Sequence, residues 1–285
     1  FVQPIFMATN IIVARGGVEY VPPISLAFWR WFFVFLILLP FFYSEIYKKR
    51  KFLKKEFYKL FFLGLMGCGV CGAFPFIAGM STTMANMGII YTSSPVFIVI
   101  LSVFLFSEKI SLNRIVGLII CLIGVITIIT KGNFNYLINF SFTTGDFWML
   151  GAAIGWALYS IYLLNWKSKF SLMGRFTLIA FFGFISLFPF YILEESLFFD
   201  TKFNSTFLAW VLFAAISPGI IAFSLYTKVQ RYLGASLTGF TLYLFAVYGA
   251  IFGIILFEEM LLPFHYYGGA LVFAGVYIAR KIKTI

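Results

Sequence analysis

One ionisable side chain stands in the middle of an apolar run. Residues 22–40 read PPISLAFWRWFFVFLILLP, with Arg30 between Trp29 and Trp31. A guanidinium carries a permanent charge and five N–H donors in a planar fork, so it either attracts an anion or ties down oxygen acceptors. Arg30 lies nine residues into its run, about 14 Å at ~1.5 Å per residue, near the middle of a hydrocarbon core. There an arginine costs upward of about 2.5 kcal/mol, and far more if it faces lipid. The side chain is therefore expected to face the interior of a helix bundle, bonded to carbonyls or polar side chains. Trp29 and Trp31 flank it, and either can stack on it.

Other polar groups within apolar runs are few. Asn10, Asn86, Tyr91, Ser93, Ser94, Tyr159, Ser160, Tyr226 and Tyr243 are candidates for lining a binding cavity, with Trp156 as a wall. Such a cavity needs apolar walls and a few fixed donors and acceptors. The competing reading is that each hydrogen-bonds a neighbouring helix. No acidic residue lies deep in a run, which favours exchange or uniport, or ion coupling through groups near the ends such as Glu19 or Glu259. Arg15 and Glu19, four apart, form a candidate gate or ion pair. Glu108 and Glu259 sit at junctions, where capping a helix or holding a loop is expected. His265 reads as an interfacial residue.

Enzyme chemistry has little support. There is no GxxxxGK[ST] loop, no HExxH, no pair of intramembrane carboxylates and no Ser/His arrangement. Cys68 and Cys71 have CxxC spacing inside an apolar run and read, with Cys121, as small packing residues rather than a metal or disulfide framework. No cofactor or metal is expected.

The elements that must carry these residues follow from composition. The chain of 285 residues is 62% hydrophobic and 11% charged, the balance of an all-α integral membrane protein. Apolar spans long enough for a ~30 Å core are expected near 1–14, 21–43, 57–79, 84–106, 112–130, 147–166, 173–193, 206–227, 235–257 and 263–280. The runs are continuous, not alternating as in a barrel. The short first run and the start at Phe1 are the pattern of a trimmed N-terminus, and nothing resembles a cleavable signal peptide. The net charge of +11 does not imply nucleic acid, because Lys48, Lys49, Arg50, Lys51, Lys54, Lys55 and Lys59 form one loop-sized cluster. With the N-terminus cytoplasmic, seventeen of the 21 Lys and Arg residues fall inside and only Arg15, Lys131 and Lys202 outside. Ten transmembrane helices with both termini cytoplasmic satisfy the positive-inside rule.

The chain also repeats. A shift of 151 residues superposes Glu108 on Glu259, Gly117 on Gly268, Gly124 on Gly275 and Val125 on Val276, and a shift of 149 superposes Ala8 on Ala157, Ile12 on Ile161 and Pro40 on Pro189. Five spans occur twice, and an odd number inverts the second copy. Residues 1–130 form the first repeat, 131–146 an outer linker and 147–285 the second repeat, an inverted-topology architecture suited to rocking around a midplane site. Small residues four apart (Gly64, Cys68 and Gly72; Gly151 and Gly155; Gly249 and Gly253) are expected to pack helices closely. Pro75, Pro95 and Pro218 are expected kinks.

The stretches NIIVARGGVEYVPPISLAFWRW, YTSSPVFIVILSVFLFSEKI, GDFWMLGAAIGWALYSIY and SPGIIAFSLY resemble the EamA-type branch of the drug/metabolite transporter superfamily over nearly the whole chain. The resemblance implies ten helices in two inverted repeats, and a central cavity lined by spans 1, 3, 4, 6, 8 and 9. It also implies alternating-access transport, often export, of small metabolites such as amino acids. The family commonly has a proline in the fourth and ninth spans; here Pro95 is matched by Ala246. The 149-residue shift places Ile179 opposite Arg30, so the charge has no twin. It fits either an anion-attracting group near the substrate path or a one-sided clamp. The clamp is favoured, because span 2 is not among the cavity-lining helices of the family. The expectation is a multi-pass carrier of the bacterial inner membrane, with a monomer as the candidate state, exporting or exchanging a small organic metabolite. The alternative is a receptor or scaffold on the same fold.

Overall fold

A computed structural model describes residues 2–82, 87, 90–130, 132–133, 135, 143–197, 201–257 and 262–280. Its helices are α1 (Val2–Ile12), α2 (Pro23–Lys48), α3 (Arg50–Gly64), α4 (Cys71–Ala78), α5 (Ser94–Phe106), α6 (Leu112–Ile129), α7 (Thr144–Asn165), α8 (Leu172–Leu197), α9 (Ser205–Ala214), α10 (Ala222–Phe240), α11 (Tyr243–Phe257) and α12 (Pro263–Arg280). Three π-helical stretches continue or join them: Val13–Gly17 after α1, Leu65–Val70 between α3 and α4, and Ala215–Ile221 between α9 and α10. No strand occurs among the described residues. Among the described residues five helical segments are long and apolar enough to cross a membrane: Pro23–Lys48, Arg50–Ala78, Thr144–Asn165, Leu172–Leu197 and Ser205–Phe240. Their outward faces are apolar too. Phe41, Phe104, Phe188 and Ile255 are exposed, a surface that suits lipid and not water.

Several boundaries differ from the sequence reading. The basic cluster is not a loop, because α2 runs to Lys48 and α3 opens at Arg50. Lys and Arg are good helix formers and carry both helices past the apolar stretch. Pro95 follows the turn at residues 92–93 that interrupts the expected span 84–106. It stands in the first turn of α5, where its missing N–H would have no helical partner in any case. The expected gap between spans 8 and 9 is a single break inside α10, at Gly234 with φ 80°, a backbone region that glycine enters without steric cost. Pro75 lies within α4 and Pro218 within the third π stretch.

Two antiparallel helix pairs organise the bundle. In the first, α2 meets α8 through aromatic rings. Phe28 stacks on Tyr191 at 4.5 Å, and Phe35 lies 5.6 Å from Phe184. Phe32 packs on Phe184 at 5.5 Å while Phe35 packs on Phe181 at 5.2 Å. Each helix also caps the other. Glu194, near the end of α8, accepts from the Ile24 and Ser25 amides at 3.0 and 2.7 Å. Glu45, near the end of α2, accepts from the Ser171 amide at 2.6 Å. First-turn N–H groups have no partner within their own helix, and a carboxylate there also complements the helix dipole.

In the second pair, α6 meets α12 through glycines. A Cβ on Gly117 would stand 2.6 Å from the Gly275 carbonyl, and one on Gly124 2.7 Å from that of Gly268. Between them the Cys121 thiol approaches the Val272 carbonyl at 3.5 Å. Backbones this close admit no side chain. Gly268→Ala is therefore expected to destabilise by about 1–3 kcal/mol through overpacking. Gly269→Ala, whose Cβ would meet only Val247 at 3.9 Å, should gain about 0.5–1 kcal/mol from helix propensity. Thermal unfolding of the two variants in detergent checks the difference; equal midpoints would remove the close-packing account.

Candidate functional site

A cavity of ≈ 110 Å³ lies inside the bundle, beside α2. Met7 and Asn10 reach it from α1, Ala14 from the first π stretch, Arg30 and Trp31 from α2, and Cys71 and Pro75 from α4. Met149 and Trp156 come from α7, Pro218 from the third π stretch, Phe223 from α10 and Phe245 from α11, with Met87 and Tyr91 completing the wall. Two π stretches thus border the cavity. Such breaks in the regular helical ladder are frequent at functional sites.

Arg30 is the one charged group among the described residues that line it. The residue is 3% exposed. Nη1 donates to Asn10 Oδ1 at 2.8 Å, and Nη2 donates to the Pro218 carbonyl at 3.0 Å. The guanidinium carbon stands 4.7 Å from the centre of the Trp31 ring, a cation–π distance. Nε is buried with no partner. The acceptors are neutral, and among the described residues no carboxylate pairs with this charge. The guanidinium therefore both ties α1 and α2 to the third π stretch and presents itself at the cavity wall. The same side chain thus holds elements together, as a clamp would, and borders the cavity.

The cavity brings together Asn10, Arg30, Tyr91 and Trp156 of the sequence candidates, and leaves others elsewhere. Ser94 is buried and donates to the Tyr91 carbonyl at 2.7 Å; Ser93 donates to the Ile90 carbonyl. Both hydroxyls serve their own helix turn. Tyr226 lies behind Trp156, its hydroxyl 2.6 Å from Ser160 Oγ, and Gln230 donates to the same Ser160 Oγ at 2.8 Å. That trio joins α7 to α10. Tyr243 packs in a separate cluster with Phe240, Cys121 and Val272. Glu108 accepts from Arg114 at 2.9 Å and from Ser236 at 2.8 Å, which fixes the turn before α6 against α10. Glu19 is exposed. His265 Nδ1 accepts from the Leu262 amide at 3.0 Å. Asn86, Glu259 and the side chain of Arg15 lie outside the described residues. Reading by polarity missed Met7, Met87, Met149, Phe223 and Phe245, since apolar wall residues look like lipid-facing ones in a sequence.

A second cavity of ≈ 330 Å³ is of opposite character. It is lined by Lys167, Ser168, Arg175, Gln230 and Arg231 with Tyr159, Phe176 and Trp166. Arg175 donates to the Leu163 carbonyl at 2.8 Å, while its Nε and the Tyr159 hydroxyl are buried without partners. Aromatic rings separate the two cavities. Phe223 packs against Trp156 at 5.3 Å, against Trp31 at 5.0 Å and against Phe176 at 5.7 Å; Trp156 meets Tyr159 at 5.4 Å. All these rings are buried.

The chain matches the model of the EamA-like transporter family over residues 1–130 and 143–280. An uncharacterized transporter of Methanothermobacter thermautotrophicus is 26% identical over 230 residues, 79% of this chain and 65% of its own length. The uncharacterized transporter YetK of Bacillus subtilis is 26% identical over 197 residues, 69% of this chain and 60% of its own. The matches thus span less than two thirds of these relatives. One solved crystal structure shares the fold with a TM-score of 0.76 at 19% identity, covering 98% of this chain and 94% of that one. The chain belongs to the EamA-like transporter family and is a multi-pass membrane protein.

Proposed function

We propose that this protein is a secondary carrier that moves a small organic metabolite across the bacterial inner membrane by alternating access. The single observation that carries the reading is the buried cavity around Arg30, closed on one side by the Phe223–Trp156–Tyr159–Phe176 rings and backed by a second, basic cavity. A carrier needs a site sealed from at least one side at any moment. In this reading ten helices cross the membrane, with both termini and the basic cavity cytoplasmic.

The repeat supports the mechanism. At the 151-residue shift Cys121 meets its own twin, Val272, while Gly117 meets the twin of Gly124 and Gly124 the twin of Gly117. At the 149-residue shift Phe35 meets its twin Phe184, and the pairs Phe32–Phe184 and Phe35–Phe181 exchange partners. Glu45 and Glu194 are also twins, and each caps the other's helix. Contacts in which residue i meets j and j meets i mark a two-fold axis. An in-plane pseudo-two-fold lets each half take the other's conformation, and that exchange opens the site to the opposite side.

Two experiments test this. Purified protein in liposomes loaded with unlabelled amino acids is expected to accumulate a trace radiolabelled amino-acid mixture from outside; accumulation no greater than in protein-free liposomes would favour the receptor reading. Cys71 supplies the second, since it lines the cavity while Cys68 and Cys121 are buried in helix contacts. In a Cys68→Ser/Cys121→Ser variant, a small charged methanethiosulfonate reagent should modify Cys71 from either side of the bilayer. Modification from one side only would rule out alternation at this cavity.

A further inference from the structure

We infer that the substrate is a carboxylate-bearing organic anion, held in the central cavity by Arg30 and exchanged with the cytoplasmic side through the basic cavity. The inference deepens the carrier reading and rests on it.

The electrostatics of the central cavity are incomplete. Among the described residues its one charged group is a guanidinium whose two bonded partners, Asn10 Oδ1 and the Pro218 carbonyl, are neutral. A third donor, Nε, is buried and unused. A buried charge is tolerated when a counter-charge and further hydrogen bonds complete it. A carboxylate supplies both, because its two oxygens match the guanidinium fork. The rest of the wall is apolar and aromatic: Met7, Met149, Trp156, Phe223 and Phe245. Asn10, Cys71 and Tyr91 add a few polar atoms, so the molecule has a mostly apolar body behind its carboxylate.

The route has the same sign. Lys167, Arg175 and Arg231 line the basic cavity. Glu56, the carboxylate beside Arg175, is already engaged by Ser168 Oγ at 2.6 Å and by the Lys169 amide at 2.9 Å. The unpartnered Arg175 Nε and Tyr159 hydroxyl are further donors without acceptors. A cation would meet like charge at both stations, while an anion gains at both and is steered towards them. The aromatic rings between the stations have only to turn aside.

Three probes with one body decide the matter: 3-phenylpropionate, 3-phenylpropionamide and 3-phenylpropylamine. Trp31 and Trp156 line the cavity, so binding to protein in nanodiscs is read by tryptophan fluorescence. The acid is expected to bind at least about tenfold tighter than the amide or the amine, the discrimination of one charge-assisted pair. Arg30→Gln should abolish the preference, and Arg30→Lys, which keeps the charge without the fork, should retain part of it. Arg231→Gln should leave the acid's affinity unchanged while slowing its exchange in proteoliposomes at low salt. Equal responses to the three probes in the wild-type protein, including none, would overturn the inference whether or not the Arg30 variants fold. Acid that binds selectively without being exchanged would leave the anion site standing and remove the carrier. Exchange that favours the amide or the amine would leave the carrier standing and remove the anion site.

Discussion

The buried charge of Arg30, which no carboxylate pairs with among the described residues, sets the terms for the rest of this structure. Arg30 cannot face lipid, so α2 must turn that side of itself inwards, and α1 and the third π stretch must approach closely enough to offer Asn10 Oδ1 and the Pro218 carbonyl. Trp31 covers one face of the guanidinium. Nε is left without a partner, and the residue borders the cavity. The side chain thus has two roles that a sequence reading separates. It holds three elements together, and it keeps one wall of the cavity electrostatically unsatisfied.

The framework that tolerates this charge is built without further charges in the membrane interior. Aromatic rings fasten α2 to α8, and bare backbone fastens α6 to α12 at Gly117, Gly124, Gly268 and Gly275. Both interfaces rely on close packing, which is what remains to drive helix association once lipid has replaced water. The carboxylates sit at helix ends instead, where Glu45, Glu194 and Asp146 satisfy amides that a membrane offers no water to solvate. The Phe223–Trp156–Tyr159–Phe176 barrier belongs to the same economy of rings, and it stands where the two cavities would otherwise join.

Much of this could be read from the sequence, because the bilayer imposes simple rules. Long apolar runs gave the helices, and the single arginine among them had to turn inwards. The family follows from residues spread over nearly the whole chain. Polarity located the cavity only in part. Tyr226, Ser160 and Ser94 are polar and buried, yet their hydroxyls are consumed by helix contacts. Tyr243 belongs to another cluster altogether. A hydroxyl in a membrane helix must find some partner, and the nearest one is usually protein. Methionine and phenylalanine carry no such mark, so Met7, Met149 and Phe223 could not be told from residues that face lipid. Pro95 shows the same limit for backbone: a proline in an apolar run is a kink or a helix start, and only the placement of α5 distinguishes them. The basic cavity was hidden for a different reason. Lys167, Arg175 and Arg231 sit on separate segments, and counting them fixed a side of the membrane without revealing a shared surface.

The most direct test of the account is the voltage dependence of transport in proteoliposomes. Moving one charge through the membrane potential is worth about 2.3 kcal/mol per 100 mV. If a monovalent carboxylate neutralises Arg30, the loaded site is electrically silent and the empty one carries a positive charge. Exchange of 3-phenylpropionate should then be indifferent to an imposed potential, whereas its net flux, which needs the empty site to return, should respond to it. Exchange that responds as strongly as net flux, or net flux that ignores the potential, would contradict a cycle built around a charge that the substrate completes.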